Sequence, residues 1–138
     1  MRAEPRCTRE THNERNRHMA TVDITDATFE KTVSDNGIVL VDFWADWCPP
    51  CKMFGPVFEA SSEKNDDIVH AKMDTDANPA ISSAAQVTSI PTLMAFRDGV
   101  LVFRQAGALP AKGLAEVVEA VRGLDMDAVK KDLAAQQN

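Results

Sequence analysis

The chain has 138 residues and a mass of 15.1 kDa, enough for one domain with a sizeable core but too little for two ordinary domains. Its composition, 44% hydrophobic and 26% charged, is typical of a soluble globular protein, and no apolar run approaches the roughly 18 residues of a membrane span. The net charge of -6 argues against nucleic-acid binding, because such proteins usually carry a basic face. We therefore expect one soluble domain that binds neither membranes nor nucleic acids.

Residues 1–18 contain five arginines and three glutamates among almost no apolar residues. They lack the apolar stretch of a secretory signal, and they are neither amphipathic nor poor in acids, as a transit peptide would be. We predict either a disordered tail or the product of an upstream start codon, with no role for Cys7. Without an export signal, the expected location is cytoplasmic.

The elements of the first half are predicted from hydrophobic periodicity and from helix start and stop signals. In chain order they are a strand at 22–24, a helix that Thr25 or Asp26 caps and that runs to about Thr32, a strand at 38–44, and a helix from Cys48 to about Glu63. The strand at 38–44 is apolar at nearly every position, which is typical of a strand covered on both faces of a parallel sheet.

The second half continues the alternation of strands and helices. Its predicted elements are a strand at 68–74, a helix that Asn78 caps and that ends near Gln86, two antiparallel strands at 92–97 and 100–106 joined by Asp98-Gly99, a helix from Pro110 to Gly123, and a short helix at 125–137. We divide the chain into a tail at 1–18, a domain at 19–123 and a C-terminal extension at 124–138.

Cys48 and Cys51 form a Cys-x-x-Cys motif where the apolar strand passes into the next helix. Positions three apart lie on one face of a helical turn, so the two sulfurs can meet within bonding distance. The free N–H groups and the positive dipole end of a helix N-terminus favour an anion, which stabilises the thiolate of Cys48. The motif predicts a reversible redox-active disulfide.

The same spacing also occurs as half of a zinc site, which would need two further ligands. The remaining candidates do not have metal-ligand spacing; they are Cys7, His12, His18 and His70. The acidic segment 74–78 lacks the glycine and glutamate that complete a calcium loop. We expect no metal and no cofactor other than the disulfide itself.

Asp42 interrupts the apolar strand, and two interpretations are open. It is either a polar residue tolerated at a strand end or a buried carboxyl whose pKa is raised by desolvation. We favour the second, in which Asp42 exchanges a proton with Cys51.

The segment 39–53, with Trp47-Cys48-Pro49-Pro50-Cys51 near its end, closely resembles the active-site segment of thioredoxins. Further matches follow in the family's order, namely Pro56, Ala71-Lys72, Ile90-Pro91-Thr92 and Gly107-Ala108-Leu109. The likeness covers about residues 21–121. It implies an α/β thioredoxin fold, with a central mixed sheet of about five strands flanked by helices.

The resemblance also implies the chemistry. Cys48 would attack the disulfide of a client protein, and Cys51 would resolve the mixed disulfide, so that the client is reduced. Lys72 would lie near Asp42, where its positive charge tempers the raised pKa of that carboxyl. The Ile90-Pro91 bond would be cis, in a loop that faces the cysteines and binds an extended client segment by strand addition.

The predicted client-binding surface surrounds the thiol of Cys48, which we expect to be exposed. Its residues are Trp47, Pro49, Pro50, Ile90, Pro91 and Gly107. Trp47 adjoins the thiol and is expected to be a surface contact, whereas Trp44 is expected to be mostly structural at the end of its strand.

The family implies client proteins with disulfides and an NADPH-dependent thioredoxin reductase as partners, and a monomer is the default state. Most thioredoxins have glycine where this chain has Pro49, and the proline removes a backbone donor near the sulfur, which can alter the redox potential. Two alternatives stay open. One is a thioredoxin-fold binding module whose thiols are dispensable, and the other is a disulfide oxidase or isomerase.

Overall fold

A computed structural model describes residues 20–137 of the chain. The predicted tail at 1–18, with Cys7 in it, lies outside the described residues. Over the described range, none of the helices is both long and apolar enough to cross a membrane.

Strands and helices alternate along residues 20–137. In chain order the elements are β1 (Val22–Ile24), α1 (Phe29–Asp35), β2 (Ile38–Trp44), α2 (Pro49–Lys64), β3 (Val69–Asp74), α3 (Pro79–Ala84), β4 (Thr92–Arg97), β5 (Val100–Ala106), α4 (Ala111–Arg122) and α5 (Met126–Gln137). All the predicted strands and helices are present, with ends that differ by a few residues. The largest differences are in α1, which begins at Phe29 and extends to Asp35.

The five strands form one mixed sheet in the order β1-β3-β2-β4-β5. Strand β3 runs parallel to both β1 and β2, whereas β4 runs antiparallel to both β2 and β5. The central position of β2 explains its apolar sequence, since residues 39–43 are fully buried. This arrangement confirms the thioredoxin fold that the resemblance implied.

The side chains of β2 divide the core into two clusters, one on each face of the sheet. Val39, Val41 and Phe43 belong to the cluster that includes Val33 of α1. Leu40 belongs to the opposite cluster, which includes residues of α2 and α4. Because successive side chains of a strand point to opposite faces, Asp42 shares the face of Leu40 and points towards the side that α2 and α4 cover.

The start of α3 is confirmed, with Asn78 at the N-cap and Pro79 as the first helical residue, but its side-chain cap is not the predicted one. The N-cap of α1 is Thr28, not Thr25 or Asp26, and its side chain makes no capping hydrogen bond. Asp26 does not cap α1; its carboxylate accepts the backbone N–H groups of Ala80 and Ile81, at 3.2 and 2.8 Å, and so caps α3. Asn78, the predicted cap of α3, instead accepts the backbone N–H of Asp26 at 3.0 Å. The two segments therefore hold each other, although they are more than 50 positions apart.

The C-terminal helices are joined to the sheet through Arg97 at the end of β4. Its guanidinium donates to the carbonyl oxygens of Val121 and Arg122 at 2.7 and 3.0 Å, so that two of the last carbonyl groups of α4 have a charged donor. Helix α5 follows at once and buries Met126. The placement of a domain boundary at residues 123–124 stays a prediction.

Candidate active site at the start of helix α2

The chain leaves the sheet at Trp44 and enters α2 within a few residues. Cys48 is the N-cap of α2, and its backbone N–H donates to the carbonyl oxygen of Ala45 at 3.2 Å. Pro49 and Pro50 occupy the first two helical positions, where an N–H would lack an intrahelical partner and the fixed φ of proline fits the helix. This short turn places Cys48 just beyond the C-terminal end of the central strand β2.

A disulfide joins Cys48 and Cys51, whose Cα atoms are 5.2 Å apart. The backbone N–H of Cys51 donates to Sγ of Cys48 at 3.2 Å. When the bond is reduced, this N–H and the positive end of the helix dipole favour negative charge on the Cys48 sulfur. The predicted pairing is therefore present, with the helix N-terminus directed at the first sulfur.

Cys48 is not the exposed thiol that we expected. Only 2% of its surface and 5% of that of Cys51 are accessible. The carbonyl oxygen of Ile90 lies 3.6 Å from Sγ of Cys48 and covers one side of the sulfur. A disulfide that reaches this sulfur must therefore contact the residues around it.

The loop before β4 lies against the disulfide, as the resemblance implied. The Ile90-Pro91 peptide bond is cis. The backbone N–H of Gly107 donates to the carbonyl oxygen of Pro91 at 2.7 Å, which ties the end of β5 to this loop. Ile90 is half-buried and Gly107 is exposed, but Pro91 is buried, so its ring does not belong to the exposed surface around Cys48.

Trp47 is the largest exposed apolar side chain beside the disulfide, with 66% of its surface accessible. Its indole Nε1 donates to a carboxylate oxygen of Asp76 at 2.9 Å, which fixes the ring at the surface. Pro49 and Pro50 are also exposed. These three predicted contact residues lie on the accessible side of the site.

Asp76 lies in the acidic segment 74–78, for which the sequence predicts no role at the site. The sheet register contains the signal that could have found it. Trp44 and Asp74 lie opposite each other at the ends of the parallel strands β2 and β3. The segments that follow them, with Trp47 and Asp76, therefore leave the sheet at the same edge.

Asp42 is fully buried, and neither of its carboxylate oxygens has a hydrogen-bond partner among the described residues. Burial raises the pKa of Asp42 to about 6, and the positive charge of Lys72 limits that rise. The ammonium Nζ of Lys72 is 3.7 Å from Asp42 Oδ2, an ion pair in which the lysine side chain is itself only 16% accessible. Both the buried carboxyl and the nearby lysine have the geometry that we expected.

Two further residues surround the ammonium group of Lys72. The ring centroid of Trp44 is 5.3 Å from Nζ, and a Cβ atom at Gly55 of α2 would lie 3.8 Å from it. Lys72 therefore lies between the sheet and the helix that carries Cys51. Trp44, predicted to be mostly structural, thus also contacts the charged group of Lys72.

Residues 20–137 contain no cluster of three or more His, Cys, Asp or Glu side chains that could hold a metal ion. The reactive and charged groups that the fold brings to this site are the two sulfurs, the buried carboxyl of Asp42 and the half-buried ammonium group of Lys72.

The sequence and the fold were compared with known proteins. The thioredoxin family model matches residues 20–120. A Streptomyces coelicolor protein with the provisional name thioredoxin 2 is 52% identical over 118 residues, which are 86% of this chain and 88% of that protein. A Staphylococcus aureus thioredoxin is 47% identical over 104 residues, covering 73% of this chain and 97% of its own length.

A solved structure of a mutant thioredoxin from Halobacterium salinarum superimposes with a TM-score of 0.70 at 38% identity, covering 75% of this chain and 91% of that one. The fold, the disulfide at the helix N-terminus and the relatives all agree on the activity, which is protein-disulfide reduction by thiol–disulfide exchange with disulfide-containing substrates. The chain belongs to the thioredoxin family.

Proposed function

We propose that this thioredoxin is a cytoplasmic, monomeric reductant of protein disulfides in which Cys48 is the attacking sulfur and Cys51 the resolving one. The observation that carries this assignment is the N–H of Cys51, which is directed at Sγ of Cys48 at 3.2 Å. An attacking sulfur must react as a thiolate, and of the two sulfurs only Cys48, as the N-cap, receives this hydrogen bond.

The reaction proceeds in two exchanges, each of which breaks one sulfur–sulfur bond and forms another. The Cys48 thiolate attacks one sulfur of the client disulfide, so that a mixed disulfide forms and the other client sulfur leaves as a thiolate and takes up a proton. Cys51 then loses its proton and attacks the Cys48 sulfur. The Cys48–Cys51 disulfide forms as the mixed disulfide breaks, and the second client sulfur leaves as a thiolate and takes up a proton in its turn. The client has then gained two electrons and two protons.

In this proposal Asp42 accepts the proton of Cys51 in the second exchange. The carboxyl is buried on the face of the sheet that α2 covers, and α2 carries Cys51. A pKa of about 6 leaves it mostly ionised at neutral pH and still a stronger base than an ordinary aspartate. Lys72, at 3.7 Å, keeps this pKa from rising further.

The client segment is proposed to lie across the surface around Cys48. Trp47, Pro49 and Pro50 border one side of the sulfur, and the Ile90-Pro91 loop with Gly107 borders the other. Trp47, Pro49 and Pro50 are exposed and offer apolar surface that a client can cover. The carbonyl oxygen of Ile90 lies 3.6 Å from Sγ of Cys48, so backbone atoms that can pair with an extended client segment are beside the sulfur.

After each turnover the Cys48–Cys51 disulfide must be reduced again. We propose an NADPH-dependent thioredoxin reductase as the source of the two electrons. No further cofactor is needed in the thioredoxin itself, because the two sulfurs store both electrons.

Trapping of the mixed disulfide tests the two sulfur roles. In a Cys51→Ser variant, the first exchange can occur but the second cannot, so a covalent complex with a client should accumulate through Cys48. A Cys48→Ser variant should form no such complex. Equal trapping by both variants would contradict the assignment.

The double variant Cys48→Ser, Cys51→Ser distinguishes a reductase from a binding module. We expect it to lose all disulfide reduction and all function in a strain that depends on the protein. Full function of the double variant in such a strain would favour the binding module. Failure of a purified NADPH-dependent thioredoxin reductase to reduce the wild-type disulfide would contradict only the proposed electron source.

A further inference from the structure

Three buried side-chain polar atoms of residues 20–137 have no hydrogen-bond partner among the described residues, and all three lie in one place. They are both carboxylate oxygens of Asp42 and the indole Nε1 of Trp44. Buried polar groups are nearly always paired, and unpaired ones tend to occur where a site needs them. The side chain that both residues share as a neighbour is Lys72.

The two tryptophans of the chain use different parts of the indole ring. Trp47 donates its N–H to Asp76 and leaves most of its surface to solvent. The buried N–H of Trp44 has no such acceptor within residues 20–137, and the centroid of its ring lies 5.3 Å from the Lys72 ammonium. Trp44 therefore interacts with the Lys72 ammonium through the face of its ring, which carries partial negative charge. Such a cation–π interaction is strongest when the pair is shielded from water.

The ion pair with Asp42 by itself holds the Lys72 ammonium only loosely. Its Nζ is 3.7 Å from Asp42 Oδ2, which is too long for a good hydrogen bond, and its side chain is flexible and prefers to place its charge in water. The ring of Trp44 lies 5.3 Å from Nζ, and α2 approaches the ammonium group at Gly55. Together they limit how far Nζ can move from the carboxylate.

We propose that the indole face of Trp44 positions the Lys72 ammonium against Asp42 and thereby sets how readily that carboxyl releases its proton. Trp44 acts through Lys72 and touches no reacting atom, so it is a positioning residue. Only the consequence for catalysis rests on the proposed proton transfer between Cys51 and Asp42.

The groups that face Asp42 determine the direction of the effect. Lys72 on β3 is the charged group beside it, and Leu93 on β4 lies opposite it in the sheet register. Helix α2 covers this face of the sheet, and its two cysteines are uncharged in the disulfide. If the indole face is lost, the ammonium can move towards solvent. The carboxylate then loses the positive charge of Lys72, and Asp42 should titrate at a higher pH.

The effect of Trp44 on Asp42 is measured directly by titrating the Asp42 carboxyl. The oxidised full-length protein, labelled with 13C at the aspartate carboxyls, is titrated by NMR, and the Asp42 signal is assigned from its absence in an Asp42→Asn variant. We expect Trp44→Leu to raise the midpoint by at least a few tenths of a pH unit and Trp44→Phe to raise it less, because phenylalanine binds cations more weakly than tryptophan. Trp47→Phe is the matched control and should leave the midpoint unchanged.

A double-mutant cycle shows whether Trp44 acts through Lys72. Lys72→Met alone should raise the Asp42 midpoint more than either Trp44 variant, and Trp44→Leu should add little in the Lys72→Met background. The proposal is overturned if Trp44→Leu leaves the midpoint unchanged, or if it shifts the midpoint equally with and without Lys72. Equal shifts would mean that Trp44 acts only by packing and shielding.

These results are independent of the proposed role of Asp42 in catalysis. The titration uses the oxidised protein and needs no turnover. If Asp42→Asn reduced protein disulfides with an unchanged rate and pH profile, the proton transfer would be refuted while the Trp44 effect on the titration could still be present. Trp44→Phe keeps an aromatic ring in place, so it provides a folded test even if Trp44→Leu is too unstable.

Discussion

The backbone N–H of Gly107 donates to the carbonyl oxygen of Pro91 at 2.7 Å, and this bond holds the loop beside Cys48 to the end of β5. Gly107 adopts φ of 102°, a conformation that side chains strongly disfavour. A Cβ atom at this position would meet nothing within 4 Å, so the backbone conformation alone opposes a substitution.

We therefore predict that Gly107→Ala lowers the free energy of unfolding by about 1–2 kcal/mol. It should also slow the reduction of a protein disulfide, because relaxation at residue 107 moves the Pro91 loop. Gly37→Ala is the control, since Gly37 also has open space around it but no positive φ. Denaturant unfolding and steady-state kinetics measure the two effects, and equal behaviour of both variants would refute the prediction.

The stability of the oxidised protein should fall as the pH rises from about 4 to 7 because of Asp42. Its pKa is 3.8 in an ordinary environment and about 6 in the fold. Between these two pH values the folded state keeps the Asp42 proton, whereas the unfolded state has lost it. The stabilisation by this proton is complete below pH 3.8 and is lost as the pH rises through about 6. The difference of roughly two pH units corresponds to about 3 kcal/mol.

Asp42→Asn should remove this slope, because asparagine stays neutral at every pH. Urea unfolding between pH 4 and pH 8 gives the free energies. If wild type and variant showed the same slope between pH 4 and pH 7, Asp42 would not be a buried carboxyl with a raised pKa.

His70 should produce a pH dependence of the opposite sign. The ring is 1% accessible, its Nε2 lies 2.9 Å from the Ser61 hydroxyl and its Nδ1 3.2 Å from the Ile68 carbonyl oxygen. Burial lowers the pKa of His70 below its ordinary value of 6.5. As the pH falls, His70 therefore takes up a proton in the unfolded state at a higher pH than in the folded state. The folded state has its full stability with respect to His70 above pH 6.5 and loses stability as the pH falls below that value.

Because the Asp42 effect overlaps, this prediction is best tested in the Asp42→Asn background. There, the free energy of unfolding should decrease between pH 7 and pH 5, and the further change His70→Gln should flatten that decrease. If the free energy of unfolding decreased by the same amount without His70, the decrease would have to come from other titrating groups.

Pro49 should affect the redox potential only slightly, although it distinguishes this chain from most thioredoxins. It occupies the first position of α2, and the N–H that reaches the Cys48 sulfur belongs to Cys51. The proline therefore leaves the hydrogen bond to the sulfur intact. We expect Pro49→Gly to change the reduction potential by less than about 30 mV, a tenfold change in the equilibrium constant for this two-electron couple. A larger change of the reduction potential in either direction would contradict the small effect that we expect for Pro49.

The strands, the long helices and the cysteine pair were predictable from the sequence, because each depends on a local pattern. The fully apolar β2 and the helical spacing of Phe54 and Phe58 correspond to buried faces. The cis bond at Pro91 and the proximity of Lys72 to Asp42 came from the family resemblance, since neither has a local sequence signal.

What could not be predicted depends on contacts between distant segments. The Asp26 cap of α3 links residues more than 50 positions apart, and the Trp47–Asp76 bond links residues 29 apart. The near-complete burial of Cys48 likewise requires the loop at Ile90, 42 positions away. Short polar side chains have equally good local and distant partners, so sequence alone does not decide between them.

The equilibrium reduction potential of the Cys48–Cys51 pair tests most directly whether this protein is a reductant. The oxidised chain is equilibrated with graded dithiol buffers, and free thiols are trapped and counted. A single two-electron transition near the value typical of thioredoxins, about -270 mV, is the expected result. A potential in the oxidising range of about -180 to -120 mV would assign the pair to disulfide formation or isomerisation, and the absence of any titratable couple would contradict thiol–disulfide exchange altogether.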